Sequence, residues 1–147
     1  MLKRTSTAVW QGTGPKGTGS ISTLSGALKD QPYGFSARFQ SEDGKAGTNP
    51  EELIAAAHAS CFTMATAFQI TNAGHEPKEL KTLATVNMEK QDIGFTIVRI
   101  DLEIEGTVPG ITAEQFQTFA ENAKKGCPIS RALAAVPEIT LKATFHA

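Results

Sequence analysis

The chain has 147 residues, 40% of them hydrophobic and 20% charged, and a net charge of −1. That length suits one domain spanning residues 1–147 with a sizeable core. The near-zero charge excludes a basic field that would draw in nucleic acid or an anionic membrane surface.

Thr5 to Gln11 alternates loosely around Val9 and Trp10 and predicts a first strand, followed by turns at Gly12, Gly14, Pro15, Gly17 and Gly19. Met1 to Trp10 carries Lys3 and Arg4 with no apolar stretch behind them, which is not the pattern of a secretory signal. Ser20 to Leu28, with spaced apolar residues among Ser and Thr, predicts a second strand. Tyr33 to Gln40 predicts a third, with Phe35, Ala37 and Phe39 on one face and Ser36, Arg38 and Gln40 on the other. A helix then starts with Asn49 as N-cap, Pro50 at the first helical position and Glu51 and Glu52 in the first turn, Glu52 being spaced for a capping box. From Leu53 to Ile70 it is apolar almost all round, the mark of a buried helix. Ala55, Ala56, Ala57, Ala59 and Ser60 are small enough to let another backbone approach, and Gly74 and Pro77 end the segment. No apolar run is expected to span a bilayer.

Two further strands are predicted near Leu80–Lys90 and Phe95–Thr107. In the second, Val98, Ile100, Leu102 and Ile104 face one way and Arg99, Asp101, Glu103 and Glu105 the other. Thr112 and Gln115 form a capping box for an amphipathic helix that carries Phe116, Phe119, Ala120 and Ala123 and closes at Lys124, Lys125 and Gly126. Pro128 opens a short helix that Pro137 stops, and Ile139 to Phe145 predicts the last strand. The expected class is α+β, with antiparallel sheets around one buried central helix.

The expected compartment is the cytoplasm, where thiols are kept reduced. There a permanent staple between Cys61 and Cys127, 66 positions apart, is unusual, while a transient catalytic disulfide is not. Two unrelated buried cysteines fit the count equally. Cys61 lies mid-helix between Ser60 and Phe62, and burial among apolar groups raises a thiol's pKa and makes it inert. A reactive Cys61 therefore requires a cation beside it. Arg38 is a candidate, because a guanidinium stays charged and offers several donors in one plane; an Arg on a solvated sheet face is the plainer reading. Cys127 sits between Gly126 and Pro128, at the start of a helix, where backbone N–H groups and Lys124 and Lys125 favour a thiolate. The alternative is a half-exposed cysteine in a tight turn. Glu51 stands ten residues before Cys61, and at the α-helical rise that is roughly 15 Å along the axis. Glu51 serves that thiol only if a second copy of the helix runs antiparallel beside the first; otherwise it is a first-turn acid complementing the helix dipole. His58 shares a face with Cys61, as a base, a metal ligand or, more simply, a packed histidine with one satisfied hydrogen bond. The two distant cysteines make no zinc spacing.

Thr48-Asn49-Pro50-Glu51-Glu52-Leu53 followed by Ala55-Ala56-Ala57-His58-Ala59-Ser60-Cys61-Phe62, and then Gly126-Cys127-Pro128-Ile129-Ser130, resemble the two core motifs of the osmotically inducible protein C and organic hydroperoxide resistance (OsmC/Ohr) family. Gln31-Pro32-Tyr33-Gly34-Phe35 with Arg38-Phe39 resembles the segment before the helix in the OsmC branch. The resemblance runs in order over nearly the whole chain. It implies an OsmC-like fold, an intertwined homodimer with the long helices at its centre, and active sites at the subunit interface. It implies a peroxidase that reduces organic hydroperoxides and, less well, hydrogen peroxide, in oxidative or osmotic stress defence. Cys61 matches the peroxidatic cysteine, Cys127 the resolving one, Arg38 the arginine and Glu51 the carboxylate that orients it. The Ohr branch takes its arginine from earlier in the chain, where Arg4 and Lys16 match no segment. The implied cycle passes through a Cys61 sulfenic acid and a Cys61–Cys127 disulfide, reopened by a dithiol that is lipoyl-bearing for some members. Phe62, Met64 and Phe68 are the expected apolar surroundings of the thiol, and no organic cofactor or metal is implied. The competing reading is a non-catalytic redox sensor or stress-induced binding protein; no charge pattern supports a nucleic-acid regulator.

Overall fold

In the computed structural model, which describes residues 1–147, Gly12 takes a positive φ of 92° and turns β1 (Ser6–Gln11) back onto β2 (Thr18–Thr23). β3 (Gln31–Tyr33) adds to the other edge of β2, and all three strands are antiparallel in the order β1-β2-β3. Gly19 in β2 has no side chain for a reason: a Cβ there would run into the rings of Tyr33 and Trp10, which meet at 5.5 Å between centroids. These elements belong to the first of two compact units, Met1–Leu53; the second is Ile54–Ala147.

The strand expected over Tyr33–Gln40 is a short helix instead, α1 (Phe35–Phe39). Phe35 and Phe39 are two strand periods apart but also i and i+4, so the same spacing puts them on one helical face. Their rings meet at 5.1 Å, and Ser36 Oγ donates to Gln40 Oε1 at 2.9 Å across the same turn. α2 (Pro50–Asn72) begins where its caps predict: Asn49 Oδ1 accepts from the Glu52 N–H at 2.8 Å. The Glu52 carboxylate does not complete the capping box; it accepts from the Thr48 hydroxyl at 2.7 Å. Gly74, at φ 86°, ends the helix, with the His75 N–H reaching the Ile70 carbonyl at 3.2 Å.

In the second unit α2 buries one stripe, His58, Phe62, Thr66 and Ile70, one residue per turn. Burial all round was expected, yet Met64 is 61% exposed and Phe68 60%. One chain supplies packing partners for one face of the helix only. By length and composition, with mean hydropathy 1.4, α2 is also long enough to cross a bilayer, which the sequence reading did not anticipate; a buried core helix passes the same test.

β4 (Glu79–Gln91) and β5 (Gly94–Thr107) form an antiparallel hairpin, and β6 (Glu138–His146) pairs with β5 in parallel. The parallel pair departs from the all-antiparallel expectation. α3 (Ala113–Gly126) and α4 (Pro128–Ala132) occupy the connection from β5 to β6 and carry the chain back to the starting end of the sheet. Within the hairpin, Asn87 pairs with Arg99 and Met88 with Ile97, so Val98 is an extra, bulged residue. Ile97, not Val98, therefore joins Ile100, Leu102 and Ile104 against the core.

That core is made by Phe62 and Ile70 of α2, Ile100, Leu102 and Ile104 of β5, Val108, Phe116, Ala120 and Ala123 of α3, and Cys127. α3 opens with the full capping box: Gln115 N–H donates to Thr112 Oγ1 at 3.2 Å, and Thr112 N–H to Gln115 Oε1 at 2.8 Å. Its end differs from expectation, because Gly126 is the last helical residue and Cys127 is the junction, C-cap of α3 and N-cap of α4 at once.

Candidate active site

The candidate residues form two pairs, one in each unit. In the first unit Arg38, in the last turn of α1, donates from Nε to Glu51 Oε2 at 3.1 Å and from Nη2 to Oε1 at 2.7 Å. This two-pronged contact fixes the plane of the guanidinium as well as its position. The Phe39 ring lies 4.9 Å from the guanidinium carbon, and Nη1 makes no hydrogen bond within the chain. Glu51 is 13% exposed and Arg38 37%, so the carboxylate is covered and the guanidinium is open on one side. Trp10, Tyr33, Phe35 and Phe39 wall an apolar cavity of about 230 Å³ that Arg38 also lines. The aromatic walls were not foreseen; Trp10 and Tyr33 come from strands that only the sheet register brings together.

In the second unit the thiols of Cys61 and Cys127 are hydrogen-bonded with their sulfurs 2.8 Å apart. Both are free thiols; Cys61 is half-buried and Cys127 fully buried. A disulfide needs a sulfur separation of about 2.05 Å, so closing the bond asks for under about 1 Å of movement. Burial pushes the Cys61 pKa up, and Cys127 adds to the shift, while the Ile129 backbone N–H opposes it. No cation is among the groups acting on Cys61. At the start of α4 it is thus the Ile129 backbone N–H that favours a thiolate at Cys61. Nothing in the local sequence around Ile129 signals that, since it depends on how α4 docks on α2.

His58 is fully buried one turn before Cys61, and its Nε2 bonds Ser130 Oγ at 2.7 Å. Its Nδ1 has no partner, and burial lowers its pKa. The packed histidine with one hydrogen bond is the arrangement present. No three His, Cys, Asp or Glu side chains come together in a way that would hold a metal. Of the apolar residues expected near the thiol, Phe62 is in the core, while Met64 lines an open groove with Ala56, Ala59, Ala67 and Leu80 and Phe68 is exposed.

Two small sheets, one long helix and two facing thiols drawn from distant positions define an α+β dithiol protein. Residues 42–142 match the model of a family described as OsmC-like protein. The chain is 49% identical over 134 residues to the peroxiredoxin OsmC of Escherichia coli K12, covering 91% of this chain and 90% of that one. It is 34% identical over 99 residues to an organic hydroperoxide resistance protein of Xanthomonas axonopodis pv. citri, covering 67% of this chain and 68% of that one. The solved structure of an organic hydroperoxide resistance protein from Elizabethkingia anophelis superposes with a TM-score of 0.70 at 26% identity, covering 99% of this chain and 96% of that one. The chain belongs to the OsmC family, and the higher identity to the OsmC relative fits the OsmC branch.

Proposed function

We propose that the chain is a cysteine-based peroxidase that reduces organic hydroperoxides, and hydrogen peroxide less well, in defence against oxidative or osmotic stress. The observation that carries this reading is the 2.8 Å contact between two thiols 66 positions apart. The peroxiredoxin name of the 49%-identical relative supports it.

Cys61 is the attacking sulfur because it is the one that solvent reaches. Its thiolate attacks one peroxide oxygen, the O–O bond breaks, and the alkoxide leaves as an alcohol after taking up a proton. Cys61 becomes a sulfenic acid. Cys127 attacks that sulfur, the S–O bond breaks, and hydroxide leaves as water with the proton of Cys127. An external dithiol, lipoyl-bearing or small, reopens the disulfide by exchange and is itself oxidised. The cytoplasm, where thiols are kept reduced, suits a disulfide that opens in every cycle.

Arg38 supplies the charge that the buried thiol lacks and holds the peroxide, with Glu51 fixing its plane. Glu51 lies about 15 Å from Cys61 along α2, so the pair acts on the Cys61 of a second copy. The molecule is then an intertwined homodimer in which the two units of each chain are parts of one OsmC-like domain, and the uncovered face of α2 is covered by its partner. The aromatic cavity beside Arg38 matches the organic part of the substrate.

The test is consumption of tert-butyl hydroperoxide with excess dithiol by the wild type and Cys61→Ser. Rapid turnover lost in the variant supports the proposal. Absence of turnover in the wild type with several dithiols refutes it and leaves a redox sensor.

A further inference from the structure

His58 and Cys61 stand one turn apart on α2, and Cys127 and Ser130 stand one turn apart across the start of α4. The two elements are joined at both levels: Cys61 to Cys127 with sulfurs 2.8 Å apart, and His58 Nε2 to Ser130 Oγ at 2.7 Å. Numbering rises along α2 as it falls along α4, so the contacts are two rungs of one antiparallel register. The rungs differ in chemistry. The sulfur rung is remade in every cycle and is lost while Cys61 carries an oxygen. The imidazole–hydroxyl rung contains no sulfur and is not consumed by the oxidation.

The second rung is also built to hold. His58 is 0% exposed and Ser130 6%, so no water competes for the bond. Nδ1 is buried with no partner, a desolvation cost that an apolar side chain would avoid. The only polar contact the ring makes is the one to Ser130. α4 is five residues long and makes few bonds of its own, Arg131 N–H to Cys127 O at 3.0 Å and Leu133 N–H to Ile129 O at 2.9 Å among them. A helix that short does not hold its place unaided.

We propose that the His58–Ser130 bond is a clasp that keeps α4 in register on α2, so that Cys127 remains poised over Cys61 after the first oxidation. His58 and Ser130 are positioning residues. They set how fast the disulfide closes relative to a second peroxide's attack, which would convert the sulfenic acid to sulfinic acid with loss of a second alcohol. The inference rests on the peroxidase reading for its consequence, but the clasp itself concerns only how the two sulfurs meet.

The experiment uses full-length wild type and Ser130→Ala, which removes the hydroxyl alone. After reaction with increasing tert-butyl hydroperoxide, mass spectrometry separates the disulfide from the Cys61 sulfinic acid. In Ser130→Ala the peroxide concentration that over-oxidises half of Cys61 is expected to fall about three- to tenfold, the worth of one buried hydrogen bond. Formation of the sulfenic acid should slow far less than closure. In parallel, diamide, an azodicarboxamide that accepts two electrons and two protons from a thiol pair, closes the disulfide with no peroxide present. Closure by diamide should slow by a similar factor. Wild-type closure and wild-type over-oxidation in Ser130→Ala overturn the clasp. If that variant does not fold, His58→Gln is measured in the same way, and wild-type values there overturn it equally. A wild type that consumes no peroxide refutes the peroxidase reading, while the diamide rates still decide the clasp.

Discussion

A thiol that is to attack a peroxide has to give up its proton, and the surroundings of Cys61 within its own chain work against that. Burial and Cys127 favour the neutral form, and one backbone N–H is a modest counterweight. A guanidinium brought within contact distance lowers a neighbouring pKa by about 1–3 units. Arg38→Ala is therefore expected to slow alkylation of Cys61 by iodoacetamide at pH 7 about tenfold or more. Unchanged alkylation would remove Arg38 from the site. Glu51→Gln should give a smaller slowing, because the charge remains and only its orientation is loosened. His58 titrates in the opposite sense to a paired histidine. Its folded pKa is lowered by burial, so the unfolded chain, with an ordinary value of 6.5, binds the proton more readily. Stability is then complete above about pH 6.5 and falls as the pH drops below it. Urea unfolding at pH 7.5 and 5.5 should show that loss in the wild type, and His58→Gln should shrink it; an identical pH dependence would place the loss elsewhere. The identities of these residues were legible, because a mid-helix cysteine and a capped cysteine each announce themselves locally. Their partners were not: Ser130 and the Ile129 N–H become relevant only once α4 is docked on α2.

Elements were readable where one local rule had one solution. α2 and α3 begin at the residues their caps specify, since an N-cap side chain answers a fixed need of the first helical turn. The third strand failed because Phe35 and Phe39 satisfy two periods at once, and Gly34 in extended geometry lets a helix start behind it. β5 kept its alternation only up to the bulge, where Val98 drops out of register and Ile97 takes the inward place. The parallel β5–β6 pair was missed although its cause was readable, since the two helices between the strands are the kind of long crossover that a parallel pair needs. Near the end of the central strand, Gly106 has no room for a side chain: a Cβ there would run into the Phe116 ring and Leu80. The contact is within the core, where neighbours cannot swing into solvent. Gly106→Ala is expected to destabilise the chain by about 1–3 kcal/mol, read as a lower urea midpoint with an unchanged slope. A wild-type midpoint would mean that Phe116 shifts without cost.

At the scale of the whole molecule, what the single chain lacks and what it leaves uncovered point to the same answer. Cys61 has no cation acting on it, Arg38 has a free Nη1, and α2 exposes Met64 and Phe68 beside an apolar groove of about 610 Å³. Ten helical residues separate Glu51 from Cys61, a distance that no side-chain rotamer closes. A two-fold dimer with antiparallel α2 helices would resolve all of these together, because an isologous contact gives each site the other chain's arginine. Mixing two crippled variants tests this directly. Cys61→Ser retains Arg38, and Arg38→Ala retains Cys61. Unfolded together in equal amounts and refolded, they form mixed dimers in half of the molecules if pairing is random. One of the two sites in each mixed dimer then holds Cys61 facing an intact Arg38, and the other holds neither. The mixture should recover about a quarter of wild-type peroxidase activity, above the sum of the two variants refolded separately. In a protein whose arginine served its own chain's thiol, the Arg38→Ala chain would stay impaired in any company, and mixing would restore nothing.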